Sequence, residues 1–229
     1  MSSKIDERIL PLLHEDGIAK IRHSKVVVFG LGGVGGTCFE ALCRTGVSPL
    51  IGVDFDVVEE SNLNRQLLFT YEDLGKKKSD ATKSRSLLLR KDCEIETFDL
   101  KIDESSLADG VFGDAAIWVD AVDDLNAKVA LIEASLRQNI PLFVSLGMGN
   151  RIDPSKVYVT TLDKTSGDPL AKKFRKMLRE RNINLRKITV VASKELPLVK
   201  TPRPSSLMMV PSAAGLLLAS LTLRALSNL

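Results

Sequence analysis

The stretch from Val26 to Asp54 constrains this chain more than any other. An apolar run, Val26 to Phe29, meets Gly30, Gly32 and Gly35 spaced as GxGxxG; a helical pattern follows, and a second apolar run ends in an acid, Asp54. Gly30 and Gly32 allow a tight turn and a close approach of backbone to a phosphate, and Gly35 lets the helix pack near the strand. The unpaired N–H groups and positive dipole end of that helix attract an anion, while the acid suits a ribose hydroxyl. The spacing predicts a nucleotide site on a βαβ unit and leaves open which nucleotide.

The alternation continues along the chain. Residues 5–21 read as an amphipathic arm and helix, with Ile9, Leu12, Leu13, Ile18 and Ile21 as the apolar set. Strands are expected at 25–29, 50–53, 94–99, 115–119 and 141–145, and helices at 34–45, 77–91, 104–110 and 125–138, with Gly46 as a C-cap. Residues 55–75 read as irregular with short helical turns. Beyond Gly149, residues 156–162 look like an antiparallel addition, followed by a helix at 168–181, a strand at 188–192, a proline-rich crossover at 197–211 and a last helix at 212–227. This predicts an α/β fold of Rossmann-like, doubly wound type, with a mostly parallel sheet and an antiparallel C-terminal extension. One continuous domain over 1–229 is expected, with 1–150 as its nucleotide-binding part and 151–229 as its substrate and dimer part.

With 229 residues, 44% of them hydrophobic, the chain can bury a sizeable core. Its net charge of +3 does not demand a nucleic-acid partner, but the charge is uneven. Residues 172–187 carry Lys172, Lys173, Arg175, Lys176, Arg179, Arg181, Arg186 and Lys187 against the single acid Glu180. A solvated helix face is the ordinary meaning of such a run; contact with an anionic polymer such as tRNA is the other. Cys38, Cys43 and Cys93 form no CxxC pair, so a zinc site of the usual spacing is not expected, and an odd count fits a reducing cytoplasm. Cys38 and Cys43 read as small core residues. The apolar run Ala213 to Leu223 is too short to span a bilayer alone and reads as a buried or dimer-facing helix, so no integral membrane segment is expected.

Three features argue against hydride transfer, the first meaning of a Gly loop. Asp54 and Asp56 are followed by Ser61-Asn62-Leu63-Asn64-Arg65-Gln66, and Arg65 offers a planar, permanently charged fork for phosphate oxygens. Lys76, Lys77 and Lys78 stand at a helix N-terminus, against the dipole, where a bound anion relieves them; Lys78 is the favoured phosphate contact. Asp120-Ala121-Val122-Asp123-Asp124 ends a strand, so Asp54 and Asp123 face one crevice. A carboxylate beside a polyphosphate needs a bridging cation, which makes Asp123 a plausible Mg²⁺ ligand; a helix N-cap is the competing role for one of Asp123 and Asp124.

GLGGVGG, DFDVVEESNLNRQ, the GKKK lysine and DAVDD, in this order and at these spacings, resemble the adenylate-forming family that includes ubiquitin-activating enzymes and the activators of molybdopterin and thiamine sulfur carriers. The resemblance covers about residues 5 to 150 and implies ATP and Mg²⁺ as cofactors. It implies ribose binding by Asp54, phosphate contact by the loop at Gly33, polyphosphate binding by Asn62, Arg65 and Lys78, and Mg²⁺ on Asp123. Arg8 lies where the family carries an arginine that reaches the partner subunit's ATP site, which implies a homodimer, although the usual Arg-aromatic-x-Arg segment is here Ile5-Asp6-Glu7-Arg8.

The C-terminal half, IDPSKVYVTTLDKTSGDPLAKKFRKMLR and VPSAAGLLLASL, resembles the tRNA threonylcarbamoyladenosine dehydratases. That implies ATP-dependent cyclisation of a modified adenosine next to the anticodon, a tRNA for the 172–187 run, and a cysteine desulfurase or its sulfur acceptor as a partner protein. Residues 188–206 match no signature of that family. Adenylation of the C-terminal glycine of a ubiquitin-like carrier is the alternative, disfavoured by the lack of zinc-spaced and catalytic cysteines. A non-catalytic desulfurase partner and a dehydrogenase stand behind it.

Overall fold

Val26, Val27, Val28 and Phe29 are all completely buried, so their strand must be covered on both faces. The computed structural model describes residues 4–107, 110, 112–201 and 204–227. Its elements run α1 (Leu10–Arg22), β1 (Val26–Phe29), α2 (Gly33–Thr45), β2 (Leu50–Val53), α3 (Lys78–Leu89), β3 (Ile95–Phe98), β4 (Ile117–Asp120), α4 (Leu125–Gln138), β5 (Leu142–Ser145), β6 (Val157–Thr161), α5 (Pro169–Glu180), β7 (Thr189–Ser193) and α6 (Met209–Ser227). One seven-stranded sheet has the order β3-β2-β1-β4-β5-β7-β6. Every neighbouring pair is parallel except β6 and β7. The expected doubly wound sheet with an antiparallel extension is what the chain forms. The later strand, β7, inserts beside β5, and β6 takes the edge.

Alternate residues of each strand serve opposite faces. Val26 and Val28 pack with Phe39 and Leu42 of α2 and Leu218 of α6. Val27 and Phe29 meet Trp118 of β4 and Leu131 of α4 on the other face. A third cluster sets Phe174 and Leu178 of α5 on Val144 and Val190. At about 1.5–3 kcal/mol per buried large apolar side chain, these layers dominate the stability of the sheet.

The arm and helix expected over 5–21 are a short turn at Lys4–Asp6 and α1, which begins at Leu10, helped by Pro11 in its first turn, and breaks at His14, whose φ is 56°. Two expectations need correction. No helix forms over the described part of 104–110; residues 103–107 turn instead, with the Asp103 carboxylate accepting from Ser105 Oγ at 2.7 Å and Ser106 N at 2.9 Å. Short polar side chains there outcompete the helical backbone bonds; residues 108 and 109 lie outside the described residues. Finally, the helix containing the C-terminal apolar run is 19 residues, long and apolar enough by length and composition to cross a membrane. α6 instead lays Val210, Ala214, Leu218 and Ala219 into the core. Gly215 permits this, since a Cβ there would lie 2.4 Å from Val34 O of α2.

The N-terminal arm is pinned by charge. Buried Asp6 pairs with Arg22 and, at 2.6 Å, with Arg90, which also pairs with Asp92 at 2.9 Å and donates to Arg44 O at 3.0 Å.

Candidate active site

The strand order reverses between β1 and β4, and a cavity of about 530 Å³ opens at the C-terminal ends of the strands around this point. The Gly loop forms one side. Gly30 has φ +86°, and a Cβ on it would lie 2.7 Å from Ala121 O; a Cβ on Gly35 would lie 1.8 Å from Gly30 O. Gly35 therefore lets α2 start against the turn without itself reaching the cavity, whereas Gly30, Gly32 and Gly33 line it. The N-cap of α2 is Gly32, with no side-chain cap and no acid in the first turn. This leaves the helix N-terminus to an anion.

Asp54 ends β2 and is buried. Its carboxylate is set by two backbone donors, Leu31 N at 2.7 Å and Asp56 N at 2.9 Å, while it lines the cavity. Asn62, also buried, accepts from Glu59 N at 3.1 Å in a capping box around the short turn Glu60–Asn62. Arg65 donates to Ser61 O at 2.7 Å and to Asn64 Oδ1 at 2.9 Å. Lys78 lies 2.7 Å from Asp56 Oδ2. All five residues, Asp54, Asp56, Asn62, Arg65 and Lys78, line the cavity. The lysine run is relieved by protein carboxylates rather than left waiting for a ligand: Lys76 pairs with Asp73 and Lys77 with Asp99. Of the three lysines, only Lys78 reaches the cavity.

At the end of β4 the five-residue acidic segment divides its work. Asp124 is the N-cap of α4, accepting from Ala127 N at 2.8 Å. Asp120 is fully buried; its Oδ1 accepts from Val122 N at 3.1 Å and from Lys128 Nζ at 3.0 Å. Burial pushes the Asp120 carboxyl above the usual carboxylate range, against the pull of Lys128. Asp123 is exposed to the cavity and has no hydrogen-bond or ion-pair partner among the described residues. Sequence reasoning missed Lys128, a buried cation that also donates to Ser145 O at 2.7 Å and lines the cavity floor. Its signal was a lysine at helical spacing from Leu125, Leu131 and Ile132, on the apolar stripe of α4.

These groups suit a nucleotide triphosphate: a carboxylate held for ribose, a helix N-terminus and two cations for phosphates, and an unengaged carboxylate. Residues 6–229 match the ThiF family. The chain belongs to the ThiF family. It is 32% identical over 223 residues to the tRNA threonylcarbamoyladenosine dehydratase of Bacillus subtilis (strain 168), covering 89% of this chain and 87% of that protein. It superposes on Escherichia coli tRNA N6-threonylcarbamoyladenosine dehydratase solved with ATP at a TM-score of 0.90, with 29% identity over 96% of this chain and 92% of that one. On the same enzyme solved with AMP the TM-score is 0.91, with 27% identity, over 99% and 98% of the two chains.

In this ThiF-family chain the far end of the cavity was not anticipated. Gly147, Met148 and Leu170 line it, and Pro204, Ser206 and Pro211 bring the predicted crossover to the cavity, Pro211 beside the Gly loop, where a Cβ on Gly33 would lie 3.3 Å from its own. Leu170 belongs to the first turn of α5, whose Lys172, Lys173, Lys176 and Arg179 are exposed. Arg175 is instead turned onto Thr165, and Arg181 pairs with Glu133. Arg8 is exposed and does not line the cavity of its own chain. All three cysteines are buried thiols, and burial raises the proton affinity of each, that of Cys43 to about 11.

Proposed function

We propose that this chain uses ATP to activate the carboxylate of N6-threonylcarbamoyladenosine in tRNA and closes that group to its cyclic form with loss of water. The observation that carries this is the joining of an ATP-type cavity to a C-terminal half that matches dehydratase relatives over nearly the whole chain. Asp54 holds the ribose, and the Gly30–Gly33 turn and the α2 N-terminus cradle the phosphates. Asn62, Arg65 and Lys78 grip the polyphosphate, with Asp56 keeping Lys78 aimed. A Mg²⁺ ion fits Asp123, since the neighbouring carboxylates of Asp120 and Asp124 are already engaged and this ion takes one or two carboxylates beside phosphate oxygens. It would neutralise phosphate charge there.

A substrate carboxylate oxygen bonds to the α-phosphorus and pyrophosphate leaves, its charge met by Arg65 and Lys78. The neighbouring urea group then attacks the acyl carbon and releases an N–H proton to solvent, the acyl–oxygen bond breaks, and AMP leaves carrying that oxygen. The lost water is thus accounted for, and proximity within one substrate replaces a protein nucleophile. The burial of all three thiols supports this over a route through a cysteine. Such thiols also fit a cytoplasmic setting. The exposed lysines of α5 would meet tRNA phosphates. Arg8, which is exposed and does not line its own cavity, is suited to the partner subunit's site in a homodimer.

Incubation with ATP, Mg²⁺ and tRNA bearing threonylcarbamoyladenosine, followed by nucleoside mass measurement, tests this. Loss of one water with formation of AMP is the expected result. AMP formation that requires a carrier protein instead would replace it with the carrier-activating alternative.

A further inference from the structure

Of the described residues between β7 and α6, Pro204 and Ser206 line the cavity, and four hydrogen bonds hold Leu198, Thr201 and Ser205 to one residue. Asn150, left-handed with φ of 61°, follows the loop after β5. Its N donates to Ser205 O at 2.6 Å, and its O accepts from Leu198 N at 2.8 Å. Its Oδ1 accepts from Ser205 N at 2.7 Å and from Thr201 Oγ1 at 3.4 Å. Pro204 is so close that a Cβ on Gly149 would lie 2.8 Å from its own. Buried Arg151 reinforces the same junction, donating to Gly147 O, Gly149 O and Glu195 O at 2.7, 3.0 and 2.8 Å. A proline-rich segment has few backbone donors of its own, so its shape must be set from outside.

The opposite end of this wall reaches the phosphate-binding segment. Asn64 Nδ2 donates to Ser206 O at 2.9 Å, and Asn64 Oδ1 accepts from Arg65 Nη1 at 2.9 Å. The cavity that Pro204 and Ser206 line therefore holds both the nucleotide groups Asp54 and Lys78 and the apolar side chains of Met148 and Leu170. Met148, Leu170 and Pro204 offer apolar surface there, and Leu170 belongs to the first turn of the basic helix α5.

Resting on the dehydratase reading, we infer that Asn150 is the positioning residue for the acceptor. Through its bonds to Leu198, Thr201 and Ser205 it holds Pro204 and Ser206 as the wall against which the modified nucleoside is seated, and Asn64 links that wall to Arg65.

Asn150→Gly keeps the left-handed backbone and removes the Oδ1 tether; Asn150→Asp keeps both. Asn150→Gly is expected to raise KM for modified tRNA about tenfold, with the ATP-induced rise in Tm unchanged and trypsin cutting faster at exposed Lys200. Asn150→Asp restores both readings. In the wild-type chain, modified tRNA slows cutting at Lys200. Asn64→Ala, which touches wall and Arg65 together, weakens ATP binding and tRNA use alike. An Asn150→Gly chain with unchanged KM despite faster cleavage overturns the inference, as does loss of ATP stabilisation without tRNA. A wild-type chain that leaves the nucleoside intact overturns the dehydratase reading itself, a different result from a wild type that turns over beside an indifferent variant.

Discussion

Asp124 closes the first turn of α4 by accepting from Ala127 N at 2.8 Å, and this leaves its neighbour Asp123 to the cavity. Adjacent carboxylates thus have separable roles. Asp123→Ala is expected to abolish AMP formation with tRNA while melting like the wild type. Asp124→Ala should cost about 1 kcal/mol of stability and keep most of the activity. Thermal melts and AMP assays on the two variants check this; equal losses of activity would mean that Asp123 has no special part.

Lys78 and Asp56 form a pair of which Asp56 is half exposed. Removing the lysine strands no buried charge, so Lys78→Met should change stability by less than about 1 kcal/mol. The rate of AMP formation should fall about 100-fold or more, as when a preorganised cation is removed from a charge-developing site. Denaturant melts beside single-turnover rates would expose the opposite pattern.

The Asp6 cluster makes the arm a stability element. Asp6→Ala leaves the buried Arg90 with Asp92 as its remaining carboxylate and is expected to cost about 3 kcal/mol in urea unfolding. Burial raises the Asp92 proton affinity, but the hydrogen bond and charge of Arg90 outweigh it and hold the carboxyl below its usual range. Its stabilisation is therefore complete above the unfolded value of about 3.9 and disappears as pH falls through the folded one. Asp92→Asn should flatten the acid limb of the melting-temperature profile.

Thiol chemistry offers a further check. With the Cys43 thiol at about 11, roughly one molecule in a thousand carries its thiolate at pH 8. Iodoacetamide should leave the native chain unlabelled at that pH and modify all three cysteines in guanidinium. AMP formation should survive the native treatment. Rapid labelling of one thiol with loss of activity would restore a cysteine route.

The central strands were legible because they are buried on both faces: the runs at Val26, Leu50 and Ile117 are continuous, bounded by Gly, Pro or charge. The Gly30–Gly35 turn and Asp54 were legible for the same local reason. The side-chain contacts of Lys78 were not, because its partner Asp56 lies on a different element and pairs with it only through the fold. Asn150 and Lys128 escaped because their partners, at 198–205 and at Asp120 and Ser145, are set by tertiary placement. The helix expected at 104–110 differs for a local reason: among the described residues, Asp103 and Ser106 tie the backbone into a turn.

Gly215 brings α6 onto the backbone of α2 directly behind the phosphate-binding turn, and Pro211 of the same helix touches the cavity. The phosphate-binding turn is consequently not self-sufficient, because a segment distant in sequence supports it. A variant cut before residue 204 keeps the Gly loop but lacks the support behind α2, and ATP should stabilise the uncut chain while leaving the cut one unaffected.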